Sequence, residues 1–353
     1  MRFSEICAGG TLPPMPSSVS FPAADAPSPA PASKALPRTQ ASVDPRAIGT
    51  MLLLCLIWSL QQISLKAVAA EASPMLMVAL RSLIAMLLLA GWMAWRGERL
   101  VGTRWRPGLL AGALFALEYL LVTGALTLTH ASHVVVFLYT APIFAALGLQ
   151  WRLPAERLGR VQWIGTGIAF AGIVIAFLGG FGGTAALQDG RMLLGDLLAL
   201  LAGAAWGATT VTIRCSTLAT ASASETLFYQ LLVAFVLLLP TAWLTQQWHF
   251  SVSTEVLGHL AFQSLVMSFA SVLAWCWLLR VYQASQLGVF SFLTPVMGVV
   301  LGVVLLGETL TPRFLLGGAL VLGGVVLVSG QALLARATTG KRRGAGQPGA
   351  AAG

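Results

Sequence analysis

Two ionisable side chains stand deep inside apolar runs of a chain that is 57% hydrophobic and only 9% charged. Arg81 lies seven residues past Pro74, roughly 10 Å along a helix axis at about 1.5 Å per residue, and Glu118 lies in the middle of the next apolar run. A charge at such depth in a bilayer costs at least about 2.5 kcal/mol unless it faces protein, water or a partner, so each marks a site by default. A buried guanidinium can hold a carboxylate or a zwitterion through two parallel hydrogen bonds. A lone carboxylate near the midplane suits a proton-coupling role, because loss of hydration disfavours its charge. The plainer readings are an arginine that snorkels to the surface and a protonated acid that ties two helices. A direct pair between the two would have to bridge roughly 8 Å of depth.

Other residues could complete a site around them. Trp58 and Trp206 fall in the middle of their runs, whereas Trp92, Trp95, Trp105, Trp151 and Trp163 stand beside arginine-rich ends as an interfacial belt does. Gln61, Gln62 and Ser64 share the run of Trp58 and offer the few polar contacts that a small-molecule pocket needs. Pro142 and Pro295 interrupt two apolar runs at matched positions, as helix kinks that free carbonyls which only protein or a water-filled cavity can satisfy. Tyr139 and Phe292, each three residues before one of these prolines, join the substrate-binding set of Arg81, Trp58, Gln61, Gln62 and Trp206. Asp196 reads as an acid at the start of a helix, and Glu156 and Glu308 as structural residues just ahead of helices.

Enzyme chemistry is not legible, since the ionisable residues at membrane depth are Arg81 and Glu118, with Lys66 near an end. His130, His133, His249 and His259 lack pairwise ligand spacing, and Cys7, Cys55, Cys215 and Cys276 are too scattered for a framework or a metal site. No metal, no cofactor and no phosphate loop are expected. The net charge of +9 does not point to nucleic acid, because the basic residues cluster at the ends of apolar runs.

Ten apolar runs of about 20 residues can cross a bilayer: 47–69, 74–95, 107–129, 133–151, 161–181, 193–213, 226–244, 256–279, 284–306 and 313–334. Residues 1–46, rich in Pro, Ala and Ser, and the basic, then Gly/Ala-rich residues 335–353 are expected to be disordered tails. Arg96, Arg99, Arg104, Arg106, Arg152, Arg157, Arg160, Arg214, Arg280 and the C-terminal basic residues all fall on one side of this arrangement, which makes that side, and both termini, cytoplasmic.

The chain also repeats itself. Ala131, Ser132, Val136 and Phe137 recur as Ala284, Ser285, Val289 and Phe290, displaced by the interval that separates Pro142 from Pro295. Two halves follow, 47–182 and 191–334, each of five helices. Five is odd, so the copies have opposite orientations and form an inverted repeat around a site near the midplane. Gly298 and Gly302 form a GxxxG that serves packing within the monomer, with homodimerisation as the alternative.

The ten spans, the mid-span tryptophans, Pro74 with Arg81, and the two Ala-Ser to Pro to Glu stretches resemble the EamA family of the drug/metabolite transporter superfamily. The resemblance implies a permease in a bacterial inner membrane that exports or exchanges small metabolites, such as amino acids or drug-like compounds; the position of Glu118 adds protons as a coupling partner. A non-transporting membrane receptor or scaffold and an intramembrane enzyme are the alternatives.

Overall fold

The computed structural model describes residues 45–152, 158–178, 186–281, 290–291 and 293–344, which belong to one folded unit, residues 40–353. Phe292, Glu156 and the repeated Ala284-Ser285 lie outside the described residues. The described chain is built from helices: α1 (Pro45–Ala67), α2 (Pro74–Trp95), α3 (Trp105–Leu128), α4 (Ala131–Leu138), α5 (Ala141–Arg152), α6 (Arg160–Leu178), α7 (Ala186–Arg214), α8 (Ala223–Leu244), α9 (Thr254–Ala261), α10 (Ser271–Val281), α11 (Leu293–Leu306) and α12 (Pro312–Gly344). Between α9 and α10 the segment Phe262–Ala270 is wound as a π-helix. Among the described residues the only β contact is an isolated antiparallel bridge between Ala72 and Phe250.

Local chemistry sets the helix ends. Pro74 opens α2, where its missing N–H costs nothing. Ser222 and Ser253 cap α8 and α9 by accepting from Glu225 N and Val256 N, each at 3.1 Å. Thr311 caps α12 by accepting from Phe314 N at 3.1 Å, ahead of Pro312 in the first turn. The sequence places Asp196 at a helix start, and here the structure differs. The polar stretch Gln188-Asp189-Gly190-Arg191 reads as a loop but continues the helix, so α7 begins at Ala186 and Asp196 lies buried well inside it.

Among the described residues, seven helical stretches are long and apolar enough to cross a membrane: Pro45–Ala67, Pro74–Trp95, Gly102–Leu128, Ala131–Arg152, Gly190–Arg214, Ala223–Leu244 and Thr254–Trp275. Arg160–Ala176, Leu293–Leu306 and Pro312–Val328, at the sites of the fifth, ninth and tenth expected spans, are shorter apolar helices. Leu53, Leu87, Val236 and Val304 are each more than half exposed on the outside of the bundle, a surface suited to lipid and not to water. The final helix continues through Gly344, past the expected end of the last span.

Proline chemistry breaks the fourth stretch in two. Pro142 has no N–H to return to the carbonyl four residues back, so α4 stops at Leu138 and α5 restarts at Ala141. At the break, Thr140 O takes up Ile143 N at 2.9 Å, and Thr140 Oγ1 donates to Phe137 O at 2.6 Å. Gly203 of α7 lies directly against this break: a side chain there would meet Thr140 Oγ1 at 2.7 Å and Phe137 O at 2.8 Å. Pro295 is buried within α11.

Helices from the first half pack chiefly on helices from the second. α2 and α3 lie against α8, α3 against α7, α1 and α4 against α11, and α6 against α12. The α6–α12 contact is the tightest approach of two backbones: a Cβ on Gly317 would meet Gly172 O and Ala176 N at 2.6 Å. Glycine is required there because neither backbone atom can move aside. Gly317→Val should therefore cost about 1–3 kcal/mol through overpacking and lower the melting temperature of the detergent-solubilised protein. Gly323→Ala, with nothing within 4 Å of the new methyl, should leave it unchanged; equal melting of the two variants would contradict this packing.

Candidate functional site

Arg81 does not snorkel. Its side chain turns into the bundle and is 1% exposed, one of the largest fully buried side chains in the protein. Nη1 donates to Gln263 Oε1 at 2.8 Å and lies 3.6 Å from Met267 Sδ, both in the π-wound segment. The guanidinium sits 4.3 Å from the ring centroid of Tyr119, a cation–π contact. Gln263 Nε2 donates in turn to Gln61 O, and Gln61 Nε2 donates to the Tyr119 hydroxyl, each at 2.8 Å. The result is a closed polar ring, from Arg81 through Gln263 and Gln61 to Tyr119 and back to the guanidinium.

The winding of the eighth stretch makes this ring available. A π-helix turns more slowly than an α-helix and shifts the faces on which successive side chains fall, and such segments often occur at functional sites. Gln263, Ser264 and Ser268 are all buried here, so the π segment turns a polar face inward between α1 and α2.

The ring leaves the arginine without a counter-charge. No carboxylate of the described residues lies within 4.0 Å of it, and its Nε has no hydrogen-bond partner. Glu118, buried one residue before Tyr119, makes no ion pair with it, and one of its oxygens, Oε2, is also unpartnered. Gln62 Oε1 is a further buried polar atom with no partner. Buried polar groups are almost always satisfied, so unpaired ones at the core of a bundle point to a bound solute or to water.

The two mid-span tryptophans occupy separate places. Trp58 donates from Nε1 to Ser271 Oγ at 3.2 Å and meets Trp275 edge to face at 5.6 Å. Trp206 meets Tyr139, at the α4–α5 break, edge to face at 5.5 Å. Each pair is half-buried and joins the two halves of the chain, with Ser59 Oγ reinforcing the first by donating to Thr294 O at 3.0 Å beside Pro295. The structure thus brings Arg81 and Gln61 into one ring, sets Glu118 beside it, and gives Trp58, Trp206 and Tyr139 aromatic partners across the bundle. Gln62 is buried in α1 next to Gln61.

Sequence reasoning passes over Tyr119, Gln263, Met267, Ser271 and Trp275. A lone glutamine in the apolar run after Ala261 was the one available sign of Gln263; nothing in the sequence reveals the π winding that aims it. Ser64 leaves the polar centre altogether. It bonds to His259 Nδ1 at 2.8 Å on the wall of a crevice of about 520 Å³, bounded by Leu60 and Ile63 of α1, Phe262, and Leu305 and Leu306 of α11.

Comparisons with known proteins agree with this architecture. The model of the EamA-like transporter family matches residues 45–178 and 193–330. An uncharacterized transporter of Archaeoglobus fulgidus is 25% identical over 284 residues, spanning 78% of this chain and 95% of that protein. The uncharacterized transporter YvbV of Bacillus subtilis is 26% identical over 306 residues, spanning 84% and 93%. A solved crystal structure shares the fold with a TM-score of 0.57 at 22% identity, covering 82% of this chain and 97% of its own. With two matched segments that together span most of the chain, this multi-pass membrane protein belongs to the EamA-like transporter family.

Proposed function

We propose that the protein is a secondary transporter that exports or exchanges a small carboxylate-bearing metabolite across the inner membrane. The observation that carries this reading is the buried Arg81, held by a neutral glutamine and an aromatic ring and lacking a carboxylate partner. A guanidinium can be buried at low cost only when its charge is matched, and a substrate carboxylate that reaches the free Nε edge would match it. Amino acids satisfy this requirement, as do other small organic acids.

Ten spans in two inverted five-helix repeats, 47–182 and 191–334, supply the machinery in this reading. The helix contacts support it. When each span is exchanged with the one five places later, α2–α8, α4–α11 and α6–α12 map onto themselves. Likewise α3–α8 maps onto the contact of α2 with the π segment, α1–α11 onto those of α7 with α4 and α5, and α3–α7 onto that of α1 with the π segment and α10. Such pseudo-symmetry is what alternating access requires, because two arrangements of the halves then have similar energies. The arginine asymmetry supports a cytoplasmic side for both termini, and in this reading Glu118 is the group that carries the proton.

Proteoliposomes loaded with a metabolite extract test the reading directly, with mass spectrometry of what leaves. Carboxylate-bearing solutes should exit through the wild type, and Arg81→Ala should lose most of that efflux while still inserting, with Arg81→Lys retaining part because the charge remains without the planar fork. Efflux of nothing at all would favour a receptor or scaffold. In the same vesicles a pH step should drive accumulation through the wild type. Glu118→Gln should abolish that accumulation yet still permit exchange; wild-type accumulation that ignores the step would rule out proton coupling.

A further inference from the structure

Away from Arg81, five titratable side chains converge where α1, α3, α4, α7 and the α11–α12 connection meet. Asp196 of α7 is buried and accepts from Thr129 Oγ1 at 2.6 Å, and both of its oxygens lie 3.0 Å from His133 Nδ1. That geometry places the ring proton on Nδ1, donating to the carboxylate. The His133 ring stacks on Phe314 of α12, with centroids 3.6 Å apart and planes 3° from parallel. Glu308 holds the neighbouring end of α4: it accepts from Ala131 N at 2.6 Å, from Ser132 N at 3.0 Å and from the Ser132 hydroxyl. A carboxylate there satisfies free N–H groups and complements the positive end of the helix.

Lys66, at the end of α1, donates to the carbonyls of Leu126 and Thr129 and so closes the end of α3. His130 fills the space between, 3.8 Å from Glu308, with its ring centroid 5.5 Å from that of His133. Burial pushes the His130 imidazole below the ordinary histidine range. Arg313, the charged residue at the start of α12, is exposed.

α4 hangs from this cluster. All eight of its residues are buried, and the Pro142 break separates it from α5. It is a rigid piece about 12 Å long. One end is held by Glu308 and Asp196; at the other, Tyr139 packs on Trp206.

We infer that the Asp196–His133–Thr129 contact, together with Glu308 on the first turn of α4, is the outer gate of the transporter, and that α4 moves as one lever when it opens. The inference rests on the transporter reading and its orientation. The gate contacts join α4 and the end of α3 of the first half to α7 and the α11–α12 connection of the second, the parts that rock against each other in alternating access. They are also conditional. Polar groups paired in the closed gate can be solvated by water in the open one, so loss of one partner penalises the closed state alone. Movement of α4 would withdraw Tyr139 from Trp206, which links the gate to the site.

Cysteine accessibility tests this without a known substrate. In a chain with Cys7, Cys55, Cys215 and Cys276 replaced by serine, Ala199→Cys reports on the α4-facing side of α7 below the gate, since Ala199 lies between Asp196 and Gly203 and is fully buried. Ala169→Cys, at the fully buried α6–α12 contact, controls for general loosening. A membrane-impermeant maleimide applied outside whole cells should label Ala199→Cys at least about tenfold faster when Asp196→Asn or His133→Gln is present, the effect of removing one partner of a buried pair, while Ala169→Cys stays protected. Unchanged labelling in both variants would overturn the gate, as would simultaneous labelling of Ala169→Cys, which marks a merely structural role. Faster labelling only in inside-out vesicles would overturn the orientation and with it the outer assignment. Failure of the transport reading itself shows separately, as absence of efflux from loaded vesicles.

Discussion

The burial of a guanidinium that has no carboxylate partner among the described residues is the constraint around which this bundle is arranged. Arg81 on α2 needs an acceptor and a polarisable surface at membrane depth, and neither its own helix nor its sequence neighbours supply them. Gln263 comes from the eighth stretch, Tyr119 from α3 and Gln61 from α1, so four helices must be held in register for one side chain. A site assembled this way is sensitive to any relative movement of the halves, which is the property a transporter exploits.

Two departures from regular helix make the arrangement possible. Proline chemistry at Pro142 cuts α4 from α5 and leaves Tyr139 at the break, against Trp206. The π winding of Phe262–Ala270 rotates Gln263 and Met267 toward Arg81 and brings Ser271 within reach of Trp58. The Pro142 break is packed inside the protein, where its freed polar groups find partners that lipid cannot supply, whereas the π segment buries Gln263, Ser264 and Ser268 and turns Leu265 and Val266 outward. The regular contacts, above all the glycine-lined α6–α12 pair, form the frame against which these segments are set.

Depth in an apolar run is a strong signal, and it picks out Arg81, Glu118, Gln61, Gln62 and the mid-span tryptophans from the sequence alone. What it leaves out is direction. Arg81 at its depth is compatible with snorkelling outward, and only packing shows that it turns inward. Gln263 depends on a helix winding with no sequence signature. Asp196 is misplaced for a different reason: Gly190 and Arg191 resemble a break, although the helix runs through them, and the acid expected to start a helix proves to be a buried partner of His133 and Thr129. Glu308 does have a structural role, but the helix it caps is α4, far away in the sequence, and not the one it precedes.

Ligand-dependent melting of the detergent-purified protein measures the central claim most directly, because it reads binding at Arg81 apart from transport. With a panel of small metabolites, those that raise the wild-type melting temperature should carry a carboxylate, and Arg81→Ala should stay folded yet lose the rise. A ligand bound at about 100 times its Kd stabilises by about 2.7 kcal/mol, an effect large enough to see. Stabilisation by the same compounds in Arg81→Ala, or by uncharged and cationic solutes alone, would contradict a site built on the unpaired guanidinium.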